Sequence, residues 1–250
     1  MAVKVKTEEE IKIMREAGTI LAEISEQIYE KVVPGISTDE IDQFAFALCK
    51  KYDVEPAFKG YGGFPATICV GVDDIAIHGI PATNEILEEG QTISVDMGIK
   101  YKGYYSDMAS TLAVGKIDDD GERLLDITKL ALNAAISKAV EGNTIGDIGH
   151  AMYTTANMAG FSVILDMVGH GIGRELHEEP QVPCIGTPGN GALLKENMIL
   201  AIEAMINEGD SDLIFEDDGW TTRTKDGKRS AIFEHTVRVG KKTAEILTIK

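Results

Sequence analysis

Four carboxylates in apolar, strand-like runs are the residues of this sequence best suited to chemistry. Asp96 and Asp107 lie within residues 91–112, and Glu203 and Glu234 lie in aliphatic runs further along. A charge buried in such a run costs free energy unless it is paired or bound to a metal ion. Taken singly, each acid is more simply explained by an edge strand that leaves the carboxylate in water. Four such runs together favour one shared site for hard cations.

One histidine has the local sequence of a fifth ligand. His170 lies in the run Gly169-His-Gly-Ile-Gly173, where glycines let the backbone come close to whatever the imidazole contacts. Four carboxylates and one imidazole, without a thiolate, suit Mn, Fe(II), Co or Zn. Two such ions bridged by carboxylates activate water for hydrolysis, so we predict a dinuclear hydrolytic site.

The other four histidines have different expected roles. His177 is not part of an HExxH zinc helix, and we expect it to make a polar contact with substrate. His78 has apolar neighbours and is equally consistent with a hydrogen-bonded core residue. His150 is typical of an ordinary helix residue, and His235 should face away from Glu234.

Residues 91–112 are predicted to position the first two acids as a β-hairpin. Alternating apolar residues indicate two strands, and a turn at residues 100–103 would pair Ile99 with Tyr104. That register places Asp96 directly across from Asp107. Like charges in that position destabilise an antiparallel pair, which again favours a bound cation. A three-residue loop with a bulge would instead put the two acids on opposite faces.

Capped helices are predicted on either side of this hairpin. Thr7 with Glu10 and Ser37 with Glu40 have the spacing of capping boxes. The predicted helices run from Thr7 to Pro34, from Ser37 to about Tyr52, from Asp118 to about Val140, and from there to about Ala159.

The chain also shows a candidate internal repeat. Residues 33–41 align with residues 140–148 at a constant offset of 107, although caps and glycine stops also recur by chance. A true repeat would give two α/β halves around a pseudo-twofold axis, with a site at their junction. The second half adds strand-like runs at 163–173 and 196–209 and a final hairpin over 220–240 that turns at Asp226-Gly227.

Composition excludes several classes of function. The 250 residues are expected to form one domain, and the net charge of −17 argues against a nucleic-acid surface. The N-terminus lacks an apolar signal region and no stretch is long enough to span a membrane, so we expect a cytoplasmic protein. Cys49, Cys69 and Cys184 form no CxxC pair, and no phosphate-binding glycine loop is complete.

The sequence resembles the type I methionine aminopeptidases over essentially its whole length. The matching motifs are HGIP (78–81), SVDMG to YYSDMAST (94–111), GHGIG with HEEP (169–180), AIEAMINEG (201–209), WTTRTKDG (220–227) and SAIFEHTV (230–237). The resemblance implies an α+β pita-bread fold: two pseudo-symmetric α/β halves with an antiparallel sheet and helices on its outer face. The short N-terminal segment favours this family over the related proline-specific dipeptidases. The lack of a long insertion between His170 and Glu203 resembles type I rather than type II of the family.

The resemblance also implies a role for each site residue. Two divalent ions would be held by Asp96, Asp107, His170, Glu203 and Glu234, with Asp96 and Glu234 bridging. The catalytic groups would be His177, as donor to the scissile carbonyl or the oxyanion, His78, near the scissile amide, and Glu203, as proton shuttle. The methionine pocket would be formed by Tyr61, Phe64, Cys69, His78, His177 and Trp220.

The expected function is therefore hydrolysis of an N-terminal methionine that precedes a small residue, by a metal-bridging hydroxide. The substrates would be nascent protein and peptide N-termini, and we expect a monomer. The alternatives are a proline-directed dipeptidase and a non-catalytic binding module, although such modules typically lose ligands. Leu176, Phe64 and Ala204 depart from residues common in the family, and they leave the shape of the pocket open.

Overall fold

The structure, a computed structural model, describes residues 3–250 and contains four α-helices. These are α1 (Glu8–Tyr29), α2 (Thr38–Tyr52), α3 (Asp119–Ile136) and α4 (Ile145–Met158). Thr7 and Ser37 cap the first two helices with reciprocal bonds to Glu10 and Glu40, as predicted. The third helix ends earlier than the predicted Val140. Within residues 3–250, none of the helices is both long and apolar enough to cross a membrane.

In the described part of the chain, thirteen strands form three sheets, and every strand pair is antiparallel. The strands of the first half are β1 (Glu55–Pro56), β2 (Cys69–Val72), β3 (Ile75–Ile77), β4 (Thr92–Tyr101) and β5 (Tyr104–Ala113). Those of the second half are β6 (Ser162–Val163), β7 (Val168–Gly171), β8 (Glu178–Pro183), β9 (Ile199–Asn207), β10 (Leu213–Phe215), β11 (Thr222–Thr224), β12 (Ser230–Arg238) and β13 (Glu245–Ile246). The sheet orders are β1-β4-β2 with β5 on β4, β10-β11-β3, and β13-β12-β9-β7-β8 with β6 on β9.

Each half buries its sheet under its own pair of helices. Leu21 of α1 and Ile41 of α2 share one apolar cluster with Ile93 of β4. Leu124 of α3 and Ile148 of α4 belong to a second cluster that includes residues of β9 and β12. The helices therefore cover the outer face and leave the inner face of the sheets for a site.

The internal repeat is confirmed by matching backbone hydrogen bonds. The amide of Gly35 donates to the carbonyl of Leu87 at 2.8 Å, and that of Gly142 donates to Leu194 at 3.1 Å. The two donors and the two acceptors are each 107 residues apart, the offset of the sequence repeat. The same offset relates Asp96 on β4 to Glu203 on β9. The two acids therefore occupy corresponding places in the two halves.

Two threonines join the halves where β5 meets β12. The Thr236 hydroxyl accepts from the amide of Asp107 at 2.9 Å and donates to its carbonyl at 2.8 Å. The Thr111 hydroxyl bonds to the amide and carbonyl of Ile232 in the same way, at 2.8 and 2.9 Å. These bonds take the place of direct backbone hydrogen bonds between β5 and β12, and they fix the position of Asp107 relative to the second half.

The register of the first hairpin differs from the prediction by two residues. Tyr101 pairs with Tyr104, so that Asp96 lies opposite Ala109 and Asp107 lies opposite Gly98. The predicted Ile99–Tyr104 pair is wrong because the turn is only two residues long: residues 102 and 103 both have positive φ, 49° and 81°. A shift of two preserves the face, so Asp96 and Asp107 are diagonal neighbours on the same side of the ladder.

The predicted final hairpin is also wrong. The chain does turn at Asp226-Gly227, where the glycine has a φ of 73°, but β11 pairs with β10 and β3 while β12 pairs with β9 and β13. The Thr224 hydroxyl donates to the carbonyl of Lys228, and the amide of Ser230 donates to that of Asp73. These contacts carry the chain from one sheet to another.

Candidate metal centre and substrate pocket

A single pocket on the inner face collects every residue to which the sequence assigned a site role. It is lined by Asp96, Asp107, His170, Glu203, Glu234, His78, His177, Tyr61, Phe64, Cys69 and Trp220. It is also lined by Phe58, Ile77, Met167, Val168 and Leu176. Of these, Phe58, Ile77, Met167 and Val168 were missed as site residues. Ile77 precedes His78 and Val168 lies two residues before His170, which could have indicated them, whereas no local pattern points to Phe58.

Four different strands supply the four carboxylates. Asp96 and Asp107 come from β4 and β5, while Glu203 and Glu234 come from β9 and β12, where they are direct partners in the ladder. His170 on β7 places its Nε2 3.7 Å from a carboxylate oxygen of Glu203. Ligand atoms of Asp107, His170 and Glu234 all lie within 4.8 Å of one another. This convergence is what a metal centre needs.

Three of the carboxylates have an oxygen without a partner. Asp96 Oδ1, Asp107 Oδ1 and Glu234 Oε1 are buried and accept no hydrogen bond from any residue in the range 3–250. Within that range none of these three acids forms an ion pair with Lys or Arg. Each buried oxygen left unpaired costs several kcal/mol, roughly, because water has been removed and nothing replaces it. Divalent cations fit this set of oxygen and nitrogen donors.

Burial and mutual repulsion favour the protonated form of these acids in the absence of a cation. Burial raises the pKa of Asp107 to about 7. Burial, followed by the charge of Asp107, raises the pKa values of Asp96, Glu203 and Glu234 well above the usual carboxylate range. A bound cation would therefore displace protons from this cluster.

His170 is held in the form that can bind a metal. Its Nδ1 donates to the backbone carbonyl of Gly171 at 2.9 Å, so the proton of the neutral ring is on Nδ1. Burial, and then the charge of His177, lower the pKa of His170 to about 4. The Nε2 lone pair is thus free on the side of Glu203.

The other two histidines of the pocket lie next to this cluster. The rings of His177 and His170 meet edge to face with centroids 4.4 Å apart, and the Tyr61 hydroxyl lies 2.7 Å from Nδ1 of His177. His78 is half-buried with a φ of 57°, and burial lowers its pKa. Both rings stay neutral near pH 7 and can donate one hydrogen bond each.

The remaining two histidines lie away from the pocket. His150 is exposed on α4 beside Thr154. Nδ1 of His235 is 2.8 Å from the hydroxyl of Thr248, so this ring faces away from Glu234 as predicted.

Aromatic and sulfur side chains form one wall of the pocket. Phe64 and Trp220 meet edge to face with ring centroids 5.1 Å apart. The indole also packs against Gly62, where a Cβ would come within 3.1 Å of the ring. Cys69 pairs with Asp96 in the β2–β4 ladder, and burial raises the pKa of its thiol well above the usual value. The wall is therefore apolar, with a neutral thiol that suits a thioether.

Comparisons with known proteins agree with this architecture. The model of metallopeptidase family M24 matches residues 12–241. A methionine aminopeptidase 1 from Bacillus subtilis is 44% identical over 97% of this chain and 98% of its own. The crystal structure of a methionine aminopeptidase from Thermotoga maritima has a TM-score of 0.98 at 42% identity and covers 100% of both chains. A prolidase from Pyrococcus furiosus has a TM-score of 0.80 at 23% identity, over 98% of this chain and 65% of its own, and shares the fold alone. The predicted α+β pita-bread fold is confirmed.

Proposed function

The chain belongs to metallopeptidase family M24, and we propose that it removes the N-terminal methionine from proteins and peptides whose second residue is small. The enzyme class, a metal-dependent methionine aminopeptidase, follows from relatives of that name that match nearly the whole chain at 37–44% identity. The observation that carries the mechanism is the set of buried carboxylate oxygens without partners beside an apolar pocket. The site draws on both halves, which supports one catalytic domain over residues 1–250.

Five side chains would hold the metal. Two divalent ions, of Co, Mn, Fe(II) or Zn, would be bound by Asp96, Asp107, His170, Glu203 and Glu234. When bound, such ions polarise the scissile carbonyl and supply hydroxide at neutral pH. Four carboxylates balance the charge of two divalent cations.

Other side chains of the pocket would bind the substrate, donate hydrogen bonds to it and transfer a proton. The apolar wall of Phe64, Cys69 and Trp220 would hold the methionine side chain and exclude water from it. Neutral His177 would donate a hydrogen bond to the carbonyl oxygen as negative charge develops there. His78 would contact the substrate near the scissile amide, and Glu203 would move a proton to the departing amine.

Metal dependence gives the direct test of this function. The protein is stripped with a chelator and titrated with Mn, Fe(II), Co or Zn in the presence of the peptide Met-Ala-Ser. We expect release of methionine to appear with added metal and to stay absent without it. Replacing Asp126, an exposed acid on α3, with Asn provides the control and should leave turnover unchanged. Equal cleavage by the stripped and the metal-loaded protein would rule the mechanism out.

A further inference from the structure

One hydrogen bond in the pocket joins the side chains of Tyr61 and His177. The hydroxyl of Tyr61 and Nδ1 of His177 are 2.7 Å apart, and the two rings meet edge to face with centroids separated by 5.2 Å. The two residues are 116 positions apart in sequence and come from different halves of the fold. The contact therefore depends on tertiary structure.

Backbone hydrogen bonds fix the position of Tyr61 independently of its contact with the histidine. Tyr61 begins a single 3₁₀ turn over Tyr61–Gly63. Its amide donates to the carbonyl of Phe58 at 2.9 Å, and its carbonyl accepts from Phe64 at 2.9 Å. Gly60 has a φ of 87°, which a residue with a side chain adopts only with strain. The phenol is thus presented from a constrained loop.

The loop that carries His177 is tied down on the opposite side. The neighbouring Glu178 carboxylate accepts from the ammonium of Lys6 at 2.5 Å and from the amide of Arg174 at 2.9 Å. The side chains of Lys6 and Glu178 are both almost fully buried, with 4% and 5% exposed. The hydrogen bond between Tyr61 and His177 therefore joins two segments that are each fixed by other contacts. These contacts set the relative position of the two side chains.

The chemistry of the two groups decides which one donates. A neutral imidazole carries a single N–H, and its other nitrogen accepts. Burial raises the pKa of Tyr61, so the phenol keeps its proton and has an O–H to donate. A phenol is a stronger acid than a neutral imidazole N–H. The favoured arrangement is O–H of Tyr61 donating to Nδ1.

We infer that Tyr61 is a positioning residue that holds His177 in the tautomer protonated at Nε2, which leaves the Nε2–H as donor to the substrate carbonyl. This inference rests on the proposed function of His177. In the other tautomer the Nε2 lone pair would face the carbonyl oxygen, and the two acceptors would repel each other. A misplaced imidazole tautomer impairs catalysis in other hydrolases even when the geometry is unchanged.

Replacing Tyr61 with Phe removes the hydroxyl and keeps the ring. We expect kcat to fall about tenfold, because the ring loses the one hydrogen bond that favours its donor tautomer, while KM changes less than about twofold. Tyr153→Phe, on the exposed part of α4, is the control and should leave both constants unchanged. In a His177→Ala background, Tyr61→Phe should cause no further loss, because Tyr61 would have nothing left to orient.

The tautomer itself can be measured without turnover. In zinc-loaded protein labelled with ¹⁵N, the two ring nitrogens of His177, assigned from the His177→Ala spectrum, should report a proton on Nε2 alone. In Tyr61→Phe they should report a mixture. A proton on Nδ1 in the wild type, or an unchanged tautomer in Tyr61→Phe, would overturn the inference. The inference would also be overturned if Tyr61→Phe lowered activity by the same factor in the wild type and in the His177→Ala variant. A failure of the proposed function looks different, because the wild type would not cleave Met-Ala-Ser at all.

Discussion

Glu203 and Glu234 lie directly opposite each other in the ladder of β9 and β12, with their side chains turned into the same buried pocket. Like charges in this position destabilise an antiparallel pair, and here burial adds to the cost. The central ladder of the second half thus contains a pair of acids that weakens the metal-free protein. The same arrangement gives a cation several ligands at once.

Replacing Glu234 with Gln should therefore stabilise the metal-free protein. The folded-state pKa of Glu234 is raised, so the stability that it costs increases as pH rises above the ordinary carboxylate value of about 4.3. At pH 8 we expect a gain of about 2 kcal/mol, or roughly 4–8 °C in Tm, in thermal unfolding with chelator present. Added metal should stabilise the wild type more than the variant. A metal-free variant less stable than the wild type at pH 8 would contradict this account.

Replacing Asp107 with Asn should abolish methionine release without unfolding the protein. The backbone of Asp107 is held by the Thr236 hydroxyl, and that contact does not involve the carboxylate. Loss of one ligand should lower kcat/KM by at least about a hundredfold. Peptide assays and circular dichroism measure the two effects. Full activity in the folded variant would refute the role of Asp107 as a ligand.

Metal binding should release protons and weaken in acid. The pKa of Asp107 is raised to about 7, so below that pH a cation must displace a proton from it. The apparent affinity for Mn or Zn should fall at least about tenfold for each pH unit below 7, because the pKa values of the other carboxylates of the cluster are raised as well. Calorimetry in buffers of different ionisation enthalpy would count the released protons. An affinity that is constant between pH 5 and pH 7 would show that the cluster is already ionised without metal.

The buried ion pair of Lys6 and Glu178 should contribute more to stability than the exposed ion pair of Lys4 with the same carboxylate. Replacing Lys6 with Met leaves the Glu178 carboxylate without its cation, and we expect a loss of about 3 kcal/mol. Lys4 reaches the same carboxylate at 3.8 Å but is 55% exposed, so Lys4→Met should cost less than about 0.5 kcal/mol. Urea unfolding of the two variants provides the comparison. Equal effects would mean that burial does not determine the strength of this pair.

Local sequence signals predicted the helices and the polar face of the first hairpin. Capping boxes at Thr7 and Ser37 act within one turn, so their residues are sufficient to locate a helix start. Each acid in an apolar strand indicated a buried charge for the same local reason. The assigned roles of the ligands stay predictions, although the structure brings their side chains into one pocket.

The features that the sequence did not reveal depend on contacts between residues far apart in sequence or on unusual backbone dihedral angles. The hairpin register depends on a positive φ at Lys102, a residue type that rarely adopts it. The chain leaves the Asp226-Gly227 turn for another sheet because the amide of Ser230 bonds to Asp73, far away in sequence. Phe58 reaches the pocket by the same kind of tertiary placement.

The central claim is that converging buried acids hold metal ions beside a pocket selective for methionine. It is tested most directly by one metal-replete assay across tripeptides that vary the first two residues, with Met-Pro and Xaa-Pro dipeptides included. We predict rapid cleavage when methionine precedes Ala, Gly or Ser, slow cleavage before large residues, and none after other N-terminal residues. Preferential hydrolysis of Xaa-Pro dipeptides, or no metal-dependent cleavage of any peptide, would contradict the claim.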